Sequence, residues 1–279
     1  MQESNYLKLV DQKYRLRQSK QYHLNVRLTG SSFSYTVYDP SQGKFMALFD
    51  ARSAGKPIHI QPYVEDDDLL KQPFGITRLM FTSQQFLVVP EALYDENQVH
   101  LLFQNAFPNP GEVIITNPVG SLNARLLAAL DGDTHSGMLA NFSKAFLYHE
   151  GAALITGLQQ QYDEAERSFL CLNIESHYLE IAFLLNGKLH FYNRFGFDNA
   201  EQFIYFPLLV CKQTGLDPAE INLLLSGVID ESSELYRQLR TYFRHIDFCE
   251  LPNRFKYSKR LYDVPQHYFY SLINLELCG

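Results

Sequence analysis

The chain has 279 residues, of which 46% are hydrophobic and 20% charged, and a formal net charge of −7. That profile belongs to a folded chain long enough for one large domain or two ordinary ones, and it excludes the charge-rich, apolar-poor composition of disorder. The negative charge is not offset by any basic stripe that would grip a phosphate backbone, so nucleic acid is not an expected ligand.

Residues 1–21 contain no apolar h-region, and no window approaches the ~20 continuous apolar residues that span a bilayer. They read as an N-terminal extension, with no transmembrane segment and a cytoplasmic location as the expectation. Residues 22–28 alternate, with Leu24, Val26 and Leu28 on one face and His23, Asn25 and Arg27 on the other, the period of a half-buried strand. Strands follow at 33–38 and 45–49 around the turn formers Asp39, Pro40, Ser41, Gln42 and Gly43, so the three make a meander. A short helix is predicted at 64–71, with Glu65, Asp66, Asp67 and Asp68 in a first turn that favours carboxylates. Then come strands at 78–81 and 86–89, a helix at 95–107 closed by Pro108, a buried strand at 112–116 and a helix at 149–162. The stretch before that last helix is less regular. In it, Asp131, Asp133 and His135 read as a solvated turn rather than a loop metal site.

From 169 the meander returns, with strands at 169–174, 178–185 and 188–195. The last two are joined by Asn186-Gly187, both of which tolerate the positive φ of a type I′ hairpin turn. A helix at 199–214 stopped by Gly215 follows, then a strand at 221–225, a helix at 232–243, a strand at 246–249 and a closing helix at 265–277. Cys171, Cys211, Cys249 and Cys278 never form a C-x-x-C pair, so they read as reduced structural thiols rather than a zinc cluster.

Gly43-Lys44 falls on Gly187-Lys188 at an offset of 144 residues. The same offset sets Ser32 on Ser176, Val26 and Leu28 on Leu170 and Leu172, and Leu79-Met80-Phe81 on Leu223-Leu224-Leu225. A duplication determines architecture before any single motif does. The reading is an α/β chain of two duplicated RNase H-like halves, 22–163 and 164–279, each a three-stranded meander followed by alternating helix and strand. This pattern is similar to the actin, Hsp70 and sugar-kinase superfamily. More narrowly, nearly the whole chain resembles an uncharacterised Bacteroidetes family with an actin-like ATPase fold.

The resemblance implies a nucleotide-sized cleft between the halves, with phosphates gripped by the first hairpin turn of each. Those turns typically carry Asp-x-Gly in the superfamily, the Gly admitting backbone N–H groups to a phosphate and the Asp holding metal or orienting water. Here the first reads Thr29-Gly30-Ser31 and the second Asn173-Ile174-Glu175, so both aspartates and both matching glycines are missing. A carboxylate such as Glu175 about 4 Å from a phosphate oxygen would cost on the order of 4 kcal/mol at an effective dielectric of 20. The adenosine-binding strand end, Leu225-Ser226-Gly227-Val228, keeps one of the usual two glycines. Thr29, Gly30, Ser31, Asn173, Glu175, Ser226 and Gly227 are therefore the candidate cofactor-binding positions of a degenerate site, with no catalytic residue and no metal ligand assigned.

Other chemistries are not signalled. G-x-x-x-x-G-K-[ST] is absent, since the Gly-Lys pairs at 43, 55 and 187 lack the upstream Gly; H-E-x-x-H is absent, since His149-Glu150 is followed by Gly-Ala-Ala; and there is no G-x-S-x-G. An RNase H-like nuclease needs carboxylates on the first strand, where this chain has Asn25 and Arg27. The leading expectation is a non-catalytic actin-like module that needs no cofactor and binds an unidentified protein partner, with Tyr262, Tyr268, Phe269 and Tyr270 as candidate interface aromatics. The rival is a divergent ATPase or small-molecule kinase using ATP with Mg, in which Glu175, Asp39, Asp50 or Asp198 supplies the metal ligand. A sensor that binds a nucleotide or sugar without turnover is the third reading.

Overall fold

The computed structural model describes residues 6–53, 57–58, 60–119, 122–162 and 168–279. In chain order the strands and helices are β1 (Tyr6–Val10), β2 (His23–Leu28), β3 (Ser32–Asp39), β4 (Lys44–Arg52), α1 (Gln61–Asp66), β5 (Ile76–Phe81), β6 (Phe86–Pro90), α2 (Val99–Ala106), β7 (Val113–Pro118), β8 (Ala124–Leu130), α3 (Gly132–Asn141), β9 (Phe146–His149) and α4 (Glu150–Gln161). There follow β10 (Ser168–Ile174), β11 (Tyr178–Leu185), β12 (Lys188–Gly196), α5 (Ala200–Thr214), β13 (Asn222–Gly227), α6 (Glu234–Tyr242), β14 (His245–Phe248), β15 (Lys256–Tyr257) and α7 (Tyr270–Asn274).

The chain forms two compact units. Unit 1 comprises Met1–Thr156, Pro252–Val264 and Leu272–Gly279, and unit 2 Gly157–Leu251 and Pro265–Ser271. The sheet of unit 1 runs β1-β4-β3-β2-β5-β9, with β15 also pairing β4. A separate sheet, β6-β8-β7, sits in the chain between β5 and β9 and packs Leu127 and Ala129 against Val99 and Phe103 of α2. Unit 2 has one sheet, β12-β11-β10-β13-β14, with a core that includes Leu170, Leu172, Ile181, Phe203, Leu223 and Leu225.

Both units follow one plan. β2 runs parallel to β5 with Val26 opposite Leu79, and β10 runs parallel to β13 with Leu170 opposite Leu223, so the spacing is 53 residues in each. Each meander carries a β-bulge, between Val37 and Tyr38 in unit 1 and between Phe183 and Leu184 in unit 2. These bulges lie 146 residues apart, and so do the first turns, where Thr29 N–H donates to Ser32 O and Glu175 N–H to Tyr178 O. An offset of 144 holds only for β4 and β12. The second hairpin of unit 1 has four residues between its strands, Asp39 and Lys44, whereas that of unit 2 has two, Asn186 and Gly187.

Several sequence expectations change. β2 is buried on both faces, because it is central in the sheet, and the expected solvent face is a polar cluster. His23 Nδ1 and Asn25 Nδ2 lie 2.7 and 3.0 Å from the Glu276 carboxylate, and Arg78 Nη1 lies 3.1 Å from it. The acidic run ends α1 rather than starting a helix. Its Asp67 is buried and accepts from Lys8 Nζ at 2.8 Å and from the Tyr35 hydroxyl. The stretch without regular pattern contains β8, α3 and β9. The Asp131 turn is the start of α3, its carboxylate accepting from Thr134 N–H at 2.7 Å as an N-cap. The expected closing helix is broken into short 3₁₀ and α pieces between Gln266 and Leu277. Of the four candidate interface aromatics, Phe269 and Tyr270 are core residues, while Tyr262 is exposed.

Candidate functional site

The Thr29–Ser32 turn of unit 1 is closed on itself. Thr29 Oγ1 accepts from Ser32 N–H at 2.9 Å and Ser31 N–H at 3.3 Å and lies 2.7 Å from Ser32 Oγ. Backbone N–H groups that would have to point at a phosphate are thus turned to a neighbouring side chain, as in hydroxyl-capped turns generally. Gly30 has open space where a Cβ would lie, and its carbonyl accepts from Ile58 N–H at 3.0 Å.

The strand ends beside this turn carry polar groups that are tied to one another. Arg27 Nε and Glu150 Oε1 are 3.2 Å apart, both side chains almost wholly removed from water. His149 N–H donates to Asn117 Oδ1 at 2.8 Å, its Nδ1 accepts from Gly151 N–H at 3.1 Å, and its Nε2 lies 3.2 Å from Ser83 O. Asp39 and Asp50, considered as alternative metal ligands, are engaged locally. Asp39 accepts from Ser41 N–H, Ser41 Oγ and Gln42 Nε2, and Asp50 from Ser34 Oγ and Arg52 Nε.

In unit 2 the turn begins at Glu175, two residues later than the 144-residue offset implies. Asn173 therefore lies inside β10, not in a turn. It is the centre of a polar row that crosses the sheet. Ser226 Oγ–H donates to Asn173 Oδ1 at 2.9 Å, Asn173 Nδ2 donates to Glu180 Oε2 at 3.0 Å, and the Tyr192 hydroxyl donates to Glu180 Oε1 at 2.6 Å. Asn173, Glu180 and Ser226 are buried. The register explains the row: Asn173 faces Ser226 across the parallel pair and Glu180 across the antiparallel one. The candidates Asn173 and Ser226 are thus brought together by the fold, and they satisfy each other.

Gly227 ends β13 with φ +81°, and an added Cβ would lie 2.7 Å from Ile174 N and closer still to Ile174 O. Val228 N–H donates to that carbonyl at 2.6 Å. The glycine is required by close approach of two backbones, which is sufficient reason for it to stand there. Downstream, Asp230 accepts from Ser232 N–H and Oγ, and Ser233 Oγ caps α6 by accepting from Tyr236 N–H. The Ser232 hydroxyl and backbone N–H hold the Asp230 carboxyl below its usual range. Glu175 is buried and follows Ile174, the residue paired with Gly227. Asp198 starts the approach to α5, its N–H donating to Gln202 Oε1 at 2.9 Å.

Glu180, Tyr192, Arg27 and Glu150 carry much of this arrangement, and the sequence reading passed over their roles. The signal was a glutamate within an otherwise apolar strand, since an acid at such a position must find a partner. Among the described residues no three His, Cys, Asp or Glu side chains converge as a metal-ligand set. A pocket of about 600 Å³ in unit 2, lined by Tyr162, Leu224, Asp247, Cys249, Glu250 and His267 among others, has none of the four polar-row residues in its lining.

A family model described as "Protein of unknown function (DUF3822)" matches residues 11–246. No curated protein matches the chain. Among solved structures it is similar to a Bacteroides thetaiotaomicron protein with actin-like ATPase fold and unknown function, at 21% identity and TM-score 0.75, over 85% of this chain and 93% of that one. It is similar to a chain of the PilM-PilN type IV pilus biogenesis complex at 14% identity and TM-score 0.65, over 91% and 97%. The ethanolamine utilization protein EutJ of Carboxydothermus hydrogenoformans aligns at 10% identity and TM-score 0.50, over 92% and 90%. These likenesses establish the fold, which is that of the actin-like ATPases.

Proposed function

We propose, from the premise that this chain belongs to the DUF3822 family of unknown function, that it is a non-catalytic actin-like module that acts by binding a protein partner. The observation that carries this reading is the Ser226–Asn173–Glu180–Tyr192 row. It fills the interior of the unit 2 strand ends with side chains whose polar atoms are bonded to one another. The Thr29 turn points the same way, because its N–H groups are spent on Thr29 Oγ1. Phosphoryl transfer relies almost entirely on positioning and on cations that neutralise developing charge. At the unit 2 turn the buried ionisable side chain is a carboxylate, Glu175, rather than a cation. Aspartates offered as substitutes, Asp39 and Asp50, are held in local hydrogen bonds.

Partner binding draws support from the PilM-PilN complex, in which a protein of this fold is found with another protein. On this reading no ATP or Mg is needed. The test is phosphate release from Mg-ATP by the full chain, compared with a Glu175→Ala variant. Both should stay at the background of protein-free buffer. Release by the native chain that disappears in the variant would overturn the reading and favour a divergent ATPase.

A further inference from the structure

The duplicated plan exposes a difference at the outer strand of each meander. In unit 1 that strand is β4, and its outer edge is covered by this chain. β1 pairs it antiparallel from Ala47 to Ala51, and β15 pairs it at Lys44 and Phe45. The corresponding strand of unit 2 is β12, which ends its sheet and pairs, among the described residues, only with β11. It is nine residues long, as β4 is. Arg194 N–H donates to the side chain of Asn193 at 2.8 Å, an in-strand substitute for a neighbouring strand. Long edges left open are templates for a further strand.

The surface beside this edge has a definite character. On one face Phe191 and Phe195 pack partly buried against the core, Phe195 stacks on Phe206 of α5 at 4.6 Å, and Tyr205 next to it is more than half exposed. The charged side chains of β12 are Lys188, Arg194 and, when protonated, His190, with no acid among them. The position equivalent to Asp50 of β4 is Arg194, which lies across from Glu180 with its guanidinium 3.6 Å from the Tyr178 ring centroid, so among the described residues the free cations of the edge are at its Lys188 end.

We infer that β12 docks an extended segment of a partner protein, added antiparallel as β1 is on β4, with apolar residues toward Phe195, Phe206 and Tyr205 and, further along the same face, acidic residues toward Lys188 and His190, which share that face with Phe191 and Phe183. Main-chain hydrogen bonds supply affinity in such strand addition, and alternate side chains supply specificity. A second copy of this chain is a poorer partner. Two-fold pairing of β12 with itself centred on Phe191 sets Lys188 opposite Arg194, and pairing centred on Arg194 sets that residue opposite its own copy, both unfavourable. The inference rests on the partner-binding reading and names the partner's chemistry.

The probe is an acetylated, amidated nonapeptide, Val-Thr-Leu-Thr-Tyr-Thr-Glu-Thr-Glu, whose antiparallel docking sets the apolar residues toward Phe195 and the glutamates toward Lys188, with a version carrying Lys in place of Glu as control. Anisotropy of the labelled peptide reads binding to the full chain, and hydrogen exchange reads where it binds. The acidic probe should bind at least tenfold more tightly than the lysine version and slow exchange at the outward amides of β12. Lys188→Glu with His190→Glu should weaken it at least tenfold with the thermal midpoint of the protein little changed; Arg194→Pro should weaken it as much, but it also removes the guanidinium stacked 3.6 Å from the Tyr178 ring centroid, so its binding is read well below its own midpoint. Equal binding of both probes, binding of neither, protection outside β12, or a probe-free dimer through β12 would each overturn the inference. A thermal shift with Mg-ATP while the probe still binds β12 would overturn the non-catalytic reading and leave the strand site standing.

Discussion

At Gly227 a left-handed backbone and a neighbouring strand meet, and at Gly30 neither constraint applies. Gly227→Ala should therefore lower stability in urea unfolding by at least ~2 kcal/mol, because both strain and a backbone clash are imposed. Gly30→Ala should stay within about 0.5 kcal/mol of the native chain. Equal effects would contradict the assignment of Gly227 to strand contact. Asn173→Asp is the substitution that puts an aspartate at the position the 144-residue offset assigns to the phosphate turn. In the structure it would set a carboxylate 3.0 Å from Glu180 with the Nδ2 donor gone. We expect a loss of at least ~2 kcal/mol, and an unchanged unfolding midpoint would sink the polar row as described. What hid Asn173 from sequence reading was a difference of two residues in hairpin length, which apolar strands of low identity do not register.

At the scale of elements, the strands with clean punctuation were legible. Asn186-Gly187 closes β11 onto β12 with both residues at positive φ, and Gly215 stops α5 in the left-handed conformation. α3 was not legible. Its small and polar residues, Gly132 to Gly137, show no apolar stripe, and only the Asp131 cap marks the start. The closing segment was half legible, since its apolar positions were visible but its 3₁₀ breaks were not. In that segment His267 packs its ring on Phe248 at 4.2 Å with Nε2 2.7 Å from Ile229 O. Burial pushes His267 below its ordinary value of 6.5. The folded state then binds fewer protons than the unfolded one, so this contribution is complete above about pH 6.5 and is lost as pH falls through the lower folded value. Unfolding free energy should decline between pH 7 and pH 5, by up to about 1.4 kcal/mol per unit from this one group. His267→Gln should flatten that slope, and a slope identical to the native one would refute the assignment.

The whole molecule shows why an architecture is easier to read than a function. Strand order, the 53-residue spacing between parallel partners and the shared bulge are imposed by a repeated backbone plan. What occupies the strand ends is a matter of single side chains, and the fold hosts many activities. Here those side chains are Thr29, Asn173, Glu180 and Ser226, and they are turned to one another or to their own backbone. The most direct test is the thermal midpoint of the native chain with and without millimolar Mg-ATP. A ligand at 100 times its dissociation constant stabilises by about 2.7 kcal/mol, which would move the midpoint by several degrees. The account predicts no shift beyond that produced by Mg-sulfate at equal ionic strength; a saturable shift specific to the nucleotide would contradict it.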